Sequence, residues 1–495
     1  MKLTDLIQIV ETLEIDKLRT LLQASKDAYF ITECLGLKER IGREYDRKQY
    51  NPKMHEIFNQ ATRPDKTVKD ENENASIVKV SRISIAEQQR IVFLAASFLG
   101  IPELYATPNG AAETDMLSVL KRVHDDNKMN YVFREVMERT MSERECAEIW
   151  YPVSADKTFW DNSPIAGNER RTKVRLISPE LGDELLPVFD EYGDMVAFGR
   201  YYKLNVVGVS TATATEEERF VLYTPGRVYE AKKEKSGSSW EFMTSGVDIT
   251  QDNGEVVVPK YFPAPNKIPV IYYRQPTTEW SDVQEMIERL ETLISNLADT
   301  NDYTGSPILL ATGKIASFAK KGEAGKLIEM EEGGKLEYIN LSTAPESIKT
   351  EIEFLVSQIN IQTHSIDISL KALSGIGAPS GFALKMLFMD AHMKAASKEK
   401  IFGIGVQRRL NLLKFMYGVS IAPAKLSGGM SLVVKPKFNY FLPKDIDGEV
   451  STVVKAYQGG IISLETAVSL NPLVADAVKE LKKIKDEKTA AAPAQ

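Results

Sequence analysis

The sequence predicts an α+β chain organised round two long helices, and three observations carry that reading. Apolar residues recur at helical spacing through much of the first 141 residues. After Trp150 the pattern shifts to runs rich in Val, Tyr and Phe, separated by turn clusters. Two amphipathic segments of about 20 residues then flank a short insertion.

Taken in order, Leu3, Leu6, Ile7, Val10 and Leu13 form one helical stripe and Leu18, Leu21 and Leu22 a second, so residues 1–60 read as surface helices. Residues 63–76 hold Pro, Asp, Lys, Glu and Asn and read as a solvated loop, with structure resuming at Ile77. An unusually apolar helix spans 85–99 and stops at Gly100 and Pro102. A single amphipathic helix is expected over 113–141. Runs at 173–177, 196–209, 220–223 and 256–261, parted by turns near Gly193, Ser236 and Gly254, predict a mostly antiparallel sheet region over 145–275.

The first long helix opens on a capping box, Ser281 with Gln284, and gathers Val283, Met286, Ile287, Leu290, Leu293, Ile294 and Leu297 on one face. Its other face carries Asp282, Glu285, Glu288, Glu291, Asp299 and Asp302 against Arg289. A small segment follows, with an apolar run at 307–311 and an expected hairpin of 327–331 with 335–341, turned at Gly333 and Gly334. Thr343, Pro345 and Glu346 then start a second long helix whose stripe is Ile348, Ile352, Leu355, Ile359 and Ile366. Helices of this length are near 30 Å long, so the arrangement is a stalk with a knob. Its seven-residue stripe, if buried, contributes on the order of 10–20 kcal/mol before entropy, and if exposed is an association site.

An uncharged stretch, Ser374, Gly375, Ile376, Gly377, Ala378, Pro379 and Ser380, reads as a flexible loop. A long helix over 382–417 is expected to kink at Gly403 and Gly405. A strand at 431–441, helices from near Asp445 and Ser463, and a frayed tail at 489–495 complete the chain.

Composition narrows the function classes. The 495 residues are 43% apolar and 26% charged, with 30 Gly and 22 Pro, which is globular composition at a length of roughly three domains. Cys34 and Cys146 are too few and too far apart for a disulfide framework, so a reducing compartment is expected. The acids and polar residues among Met1, Lys2, Leu3, Thr4 and Asp5 interrupt any signal-peptide core, and export is not expected. The longest apolar stretch, 91–102, falls well short of the roughly 20 residues of a membrane span, so no membrane partner is expected. A net charge of −7 supplies no basic excess to displace counterions from phosphates. Tight static nucleic-acid binding is therefore not expected, while transient contact is compatible.

Catalytic and cofactor patterns fail on their own terms. Gly375, Gly377 and Gly381 are spaced one residue too widely for a dinucleotide fingerprint and follow a helix instead of a strand. Gly325 and Lys326 lack the upstream Gly and following Ser or Thr of a phosphate loop. His55, His124, His364 and His392 are scattered without metal-ligand spacing and read as surface or helix-face residues. Cys146 reads as a small buried hydrophobe. The helix carboxylates repeat along a face instead of converging, as a solvated face does. No cofactor, metal or enzymatic activity is expected.

Several short segments, taken in their order, resemble the portal proteins of tailed bacteriophages of the siphovirus type. They are Leu99, Gly100, Ile101, Pro102; Lys267, Ile268, Pro269, Val270; the acidic helix 282–303; Ser380, Gly381, Phe382, Ala383, Leu384, Lys385; and Gly460, Ile461, Ile462, Ser463, Leu464, Glu465, Thr466. The resemblance implies a ring of about twelve subunits at one capsid vertex round a channel for double-stranded DNA. It assigns 1–276 to a wing, 277–305 and 343–373 to the two stem helices, 306–342 to a clip and 374–381 to a tunnel loop. Residues 382–442 become a long kinked helix with a wing strand, and 443–488 a short crown. The acidic residues of the first stem helix would line the channel, where they would repel phosphates and keep contacts brief. Lys371 and Lys385 become candidate DNA contacts, with a solvated role equally compatible. Implied partners are other copies of the chain, the major capsid protein and scaffold, the terminase packaging motor and a head-tail adaptor, in a virion assembled in the host cytoplasm. An adaptor or other structural head protein, and an enzyme with an unrecognised site, also fit the size and the lack of motifs.

Overall fold

A computed structural model of the chain describes residues 3–33, 43–69, 75–207, 214–234, 239–245, 266–304, 308–312, 315–317, 329–330, 335–339, 344–366, 386, 388–440, 446–474 and 476–490. The expected strand at 256–261, the turn at Gly333 and Gly334, the cap Thr343, the loop 374–381, and Lys371 and Lys385 lie outside these residues.

Alternation along the strands explains the layering. Strands β6 (Glu184–Phe189), β7 (Met195–Val207), β8 (Ala214–Thr224), β9 (Arg227–Lys233) and β10 (Glu241–Ser245) form an antiparallel five-stranded sheet in the order β10-β9-β8-β7-β6. Consecutive strand residues point to opposite faces. Accordingly Phe220 and Leu222 of β8 pack beneath helices α1 (Leu3–Glu11) and α2 (Ile15–Glu33), with Leu6, Val10, Leu18 and Leu22. Val221 and Tyr223 pack on the other face, against a three-stranded sheet. That sheet, in the order β11-β4-β5, comprises β4 (Glu145–Ser154), β5 (Arg170–Ile177) and β11 (Val270–Arg274). It alternates in turn: Val270 and Tyr272 face the larger sheet, while Ile271 and Tyr273 face the main helical core. The N-terminal stripes are therefore the cover of a sheet, as their buried faces require. The antiparallel region is as expected over its described part.

Lys26 ties these layers together. Its Nζ, almost fully buried, donates to Glu145 Oε1 and Oε2 at 2.9 and 2.6 Å and to Leu185 O at 2.6 Å. Tyr272 OH adds a bond to Glu145 Oε2 at 2.6 Å. Cys146 is fully buried nearby, and burial pushes its thiol well up, which fits the small-hydrophobe reading.

The main core lies among α4 (Glu87–Leu99), α5 (Ala111–Asp126), α6 (Met129–Glu143), α7 (Gln284–Thr304), α8 (Ala344–Gln362) and α9 (Met389–Phe415). Helix α4 stops at Gly100, whose φ of 70° and close approach to Asn439 O leave no room for a β-carbon. The single helix expected over 113–141 is two helices. Asn127 breaks it because its amide bonds Val123 O and Thr172 O, while its Oδ1 accepts from Val174 N, tying the corner to β5. Helix α9 runs as continuous helix past Gly403 and Gly405 into a π-helical turn at Met416–Ile421. Gly405 admits the ring of Tyr273.

Other corrections are local. Part of the expected loop at 63–76 is an exposed hairpin of β1 (Lys66–Lys69) with β2 (Ala75–Val78). Two helices of 3-10 type, Pro52–Met54 and Glu56–Phe58, follow α3 (Arg43–Tyr50). The expected strand at 431–441 shortens to Lys435–Lys437, paired with Glu103–Tyr105. In the insertion, Ile308–Thr312 pairs with Lys335–Ile339, and Ile315–Ser317 with Glu329–Met330, so among the described residues the two expected hairpin strands pair outward. Three helices, α10 (Ile446–Gln458), α11 (Leu464–Leu470) and α12 (Ala477–Ala490), end the described chain, with α12 entering the expected tail.

Candidate functional site: the stem helices and their attachments

Helix α7 starts one turn later than the capping box predicts, because Ser281–Val283 is a 3-10 turn. Trp280, fully buried, anchors that turn: its Nε1 donates to Gln49 Oε1 at 3.0 Å and its ring stacks on Tyr50. Val283, Ile287, Leu290 and Leu293 are buried in the main core, with Met286 and Ile294 packed at its edge. On α8, Ile359 is buried and Ile352 and Leu355 are half-buried against the same core; Ile348 and Leu297 are also half-buried. Of the two outcomes open to the α7 stripe, burial or exposure as an association site, the fold takes the first: it is largely covered within the chain. Exposed apolar side chains are carried by α8, at Phe354 and Ile361, 61% and 59% exposed.

The acidic face of α7 divides. Asp282, Glu285 and Asp302 are exposed and Glu288 is half-buried, accepting from Gln284 Nε2 at 2.9 Å. Glu291 and Asp299 are corrected: neither stands free for a channel. Glu291, 2% exposed, accepts from Ile85 N at 2.9 Å; Ser295 Oγ accepts from Ile83 N at 3.0 Å; Asp299 Oδ1 accepts from Ser81 N at 2.7 Å. Four helical residues rise about 6.0 Å and two extended residues about 6.6 Å. Acceptors four apart on α7 therefore meet alternate N–H groups of an extended strap, 81–85, running the opposite way. The spacing of Glu291, Ser295 and Asp299 is the available sequence signal, and it is shared with a solvated helix face.

Side chains reinforce the strap. Arg63 bonds Asp299 Oδ2 and Asn296 Oδ1, each at 2.8 Å, and Ser81 O at 3.0 Å. Burial pushes Asp299 up, but the Ser81 N–H and the Arg63 guanidinium outweigh it and hold the carboxyl below its ordinary value. His55, read from sequence as a surface residue, is buried. Its Nδ1 lies 2.6 Å from Glu291 Oε1 and its Nε2 2.7 Å from Gln49 O, so the ring bridges α7 to the end of α3. His124 is also enclosed, and burial lowers its imidazole to about 3. His364 is exposed and faces Asp390 at 2.7 Å; His392 is half-buried.

The remaining attachments join the helices. Arg289 Nε donates to Glu351 Oε1 at 3.0 Å, bridging α7 to α8. Lys394 of α9 reaches Glu279 at 3.0 Å and donates to Thr363 O at 2.8 Å, and Lys398 also pairs with Glu279. Burial raises Glu279, but the two lysines outweigh it and set its carboxyl below the ordinary 4.5. A depressed carboxyl stabilises the fold above its unfolded value and loses that contribution as pH falls through its folded value. Acidification below about pH 4.5 is therefore expected to loosen α9 from the start of the stem, read as faster hydrogen exchange over 389–400. Glu279→Gln should show the faster exchange already at neutral pH, with a smaller pH step.

The strap, the lysine clamp and the helix bridge are all devices of attachment, which define a structural frame. The chain belongs to the family of phage portal proteins, SPP1 Gp6-like, whose profile matches residues 39–494. This family is structural and non-enzymatic, and its members are phage head-tail connectors. Two solved structures align with the chain: the neck of a native GTA particle computed with C12 symmetry, and the neck of an empty GTA particle computed with C6 symmetry. The first is 11% identical over 78% of this chain and 90% of its own, with a TM-score of 0.40. The second is 11% identical over 79% and 88%, with a TM-score of 0.37. No curated protein sequence matches.

Proposed function

We propose that this chain assembles head to tail into a closed ring of about twelve copies at one capsid vertex, enclosing a channel through which double-stranded DNA is packaged and later ejected. Family membership supports the portal role. The observation that carries the ring is the exposure of Phe354 and Ile361 on α8, two turns apart on the side turned away from the core. Burying each against a neighbour contributes about 1.5–3 kcal/mol. A heterologous contact gives a ring where its rotation closes on itself and an open filament where it does not, and the portal role calls for the closed form.

In this reading 277–305 and 343–373 are stem, 306–342 clip, 443–488 crown, and 374–381 a tunnel loop flanked by Lys371 and Lys385. The acids available to a channel wall are Asp282, Glu285, Glu288 and Asp302, since Glu291 and Asp299 hold the strap. Their repulsion of phosphate keeps DNA contacts brief. By family resemblance the clip would meet the packaging motor and later the head-tail adaptor, with the major capsid protein and scaffold as further partners.

The test is mass photometry and axial negative-stain images of the purified full-length chain. Annular particles of uniform mass with an open centre are expected. A monodisperse monomer at micromolar concentration overturns the ring.

A further inference from the structure

We propose that the contact between neighbouring copies joins two particular flanks of the protomer: the β1–β2 hairpin with its strap on one copy, and the outer face of α8 on the next. This rests on the ring reading and names the residues that make it.

The hairpin is the less usual half. Its register pairs Lys66 with Val78 and Thr67 with Ile77, and Lys66, Thr67 and Ala75 through Val78 are all exposed. Ile77 is 73% exposed and Val78 48%. A two-stranded hairpin whose described side chains are all exposed is marginal in water, so it calls for a partner surface. Its base is nonetheless fixed. Asp65 Oδ1 accepts from Val80 N at 3.2 Å and from Arg82 Nη2 at 2.8 Å, and the strap that follows is bonded along α7. Ile83, 36% exposed, extends the apolar surface along that strap.

The second half is α8. At 100° per residue, Phe354 and Ile361 lie roughly 140° round the helix from Ile352, Leu355 and Ile359, which pack on the core. On α7 itself the strap-bonding positions 291, 295 and 299 lie roughly 120° from Arg289, which bridges to α8. Hairpin and outer α8 are therefore different flanks, as a heterologous contact requires. Their charges are complementary: Lys66 and Lys79 are exposed on the hairpin side, and Glu346 and Glu353 on the outer side of α8. Residues 70–74, which include Asp70, Glu71 and Glu73, lie outside the described residues.

Disulfide trapping in the full-length chain, in a Cys34→Ser background, tests the contact. One cysteine replaces Ile77, Val78 or Ile83 and another replaces Phe354 or Ile361, which makes six pairs. Under mild oxidation at least one pair should give a ladder of covalent multimers on a denaturing gel, while each single variant stays monomeric there because a heterologous contact does not set a residue against itself. Pairing Ile77→Cys with Tyr192→Cys, in a loop between β6 and β7, should give no ladder. Ile77→Asp, checked for folding by circular dichroism, should raise the concentration of half-dissociation about tenfold or more. Rings by mass photometry with no ladder from any pair would overturn this contact and leave the ring standing. Absence of any oligomer would overturn both.

Discussion

Replacing Arg409 with methionine is expected to cost the folded chain about 3–5 kcal/mol, because it strands a buried carboxylate. Glu148 of β4 is fully buried, and Arg409 of α9 is 1% exposed. The Arg409 Nε lies 3.3 Å from Glu148 Oε2, and its Nη2 donates to Tyr273 OH at 3.3 Å. Tyr273 OH donates to Glu148 Oε1 at 2.8 Å, and Trp150 Nε1 to Oε2 at 2.9 Å. The guanidinium also stands 5.3 Å from the ring centre of Phe133 on α6. With the cation gone, two neutral donors remain to solvate a full negative charge in an apolar core, which is far less than water supplied. Converting Glu148 to leucine as well removes the stranded charge, and the double variant should recover most of the loss. Denaturant midpoints followed by tryptophan fluorescence read the difference. A single variant within about 1 kcal/mol of the parent would show that water reaches the site.

What the sequence makes legible here follows from the range of each interaction. Amphipathic stripes and turn residues are local, and they mark α4, α7, α8 and the antiparallel region within a few residues. The alternation in β8 is local too, yet which layer each face meets depends on contacts with α1, α2 and β4, which lie far off in the chain. The candidate site shows the same limit more sharply. Glu291 and Asp299 sit among acids with the spacing of a solvated helix face. Only the arrival of 81–85, some two hundred residues earlier in sequence, turns them into acceptors for backbone N–H groups. Composition cannot signal such pairing, because an acid that accepts a hydrogen bond and an acid in water are the same residue. His55 is buried for the same reason that the sequence does not show it: its partners, Glu291 and Gln49 O, come together only in the fold. The tunnel-loop residues 374–380 are assigned through family resemblance alone.

The glycines of α9 give the sharpest separation between local propensity and packing. By propensity alone, Gly→Ala in the interior of a helix stabilises by about 1 kcal/mol, and Gly403 and Gly405 look equivalent. They are not equivalent in the fold. A β-carbon at Gly403 would meet Glu399 Cγ at 3.6 Å and Phe438 Cε2 at 3.7 Å, which are ordinary contacts, so Gly403→Ala should be neutral or stabilising by up to about 1 kcal/mol. A β-carbon at Gly405 would lie 2.0 Å from Tyr273 Cε1 and 2.6 Å from its Cδ1. Tyr273 cannot swing aside, because it is 1% exposed and its hydroxyl is bonded to Glu148 and Arg409. Gly405→Ala must therefore shift either the ring, breaking the buried network, or α9, opening the main core. Overpacking alone costs about 1–3 kcal/mol, and loss of the network adds to it, so a net loss above about 3 kcal/mol is expected despite the gain in propensity. Thermal melts of the two variants side by side decide the point. Equal melting temperatures would mean that the close approach of Tyr273 to Gly405 has no energetic weight.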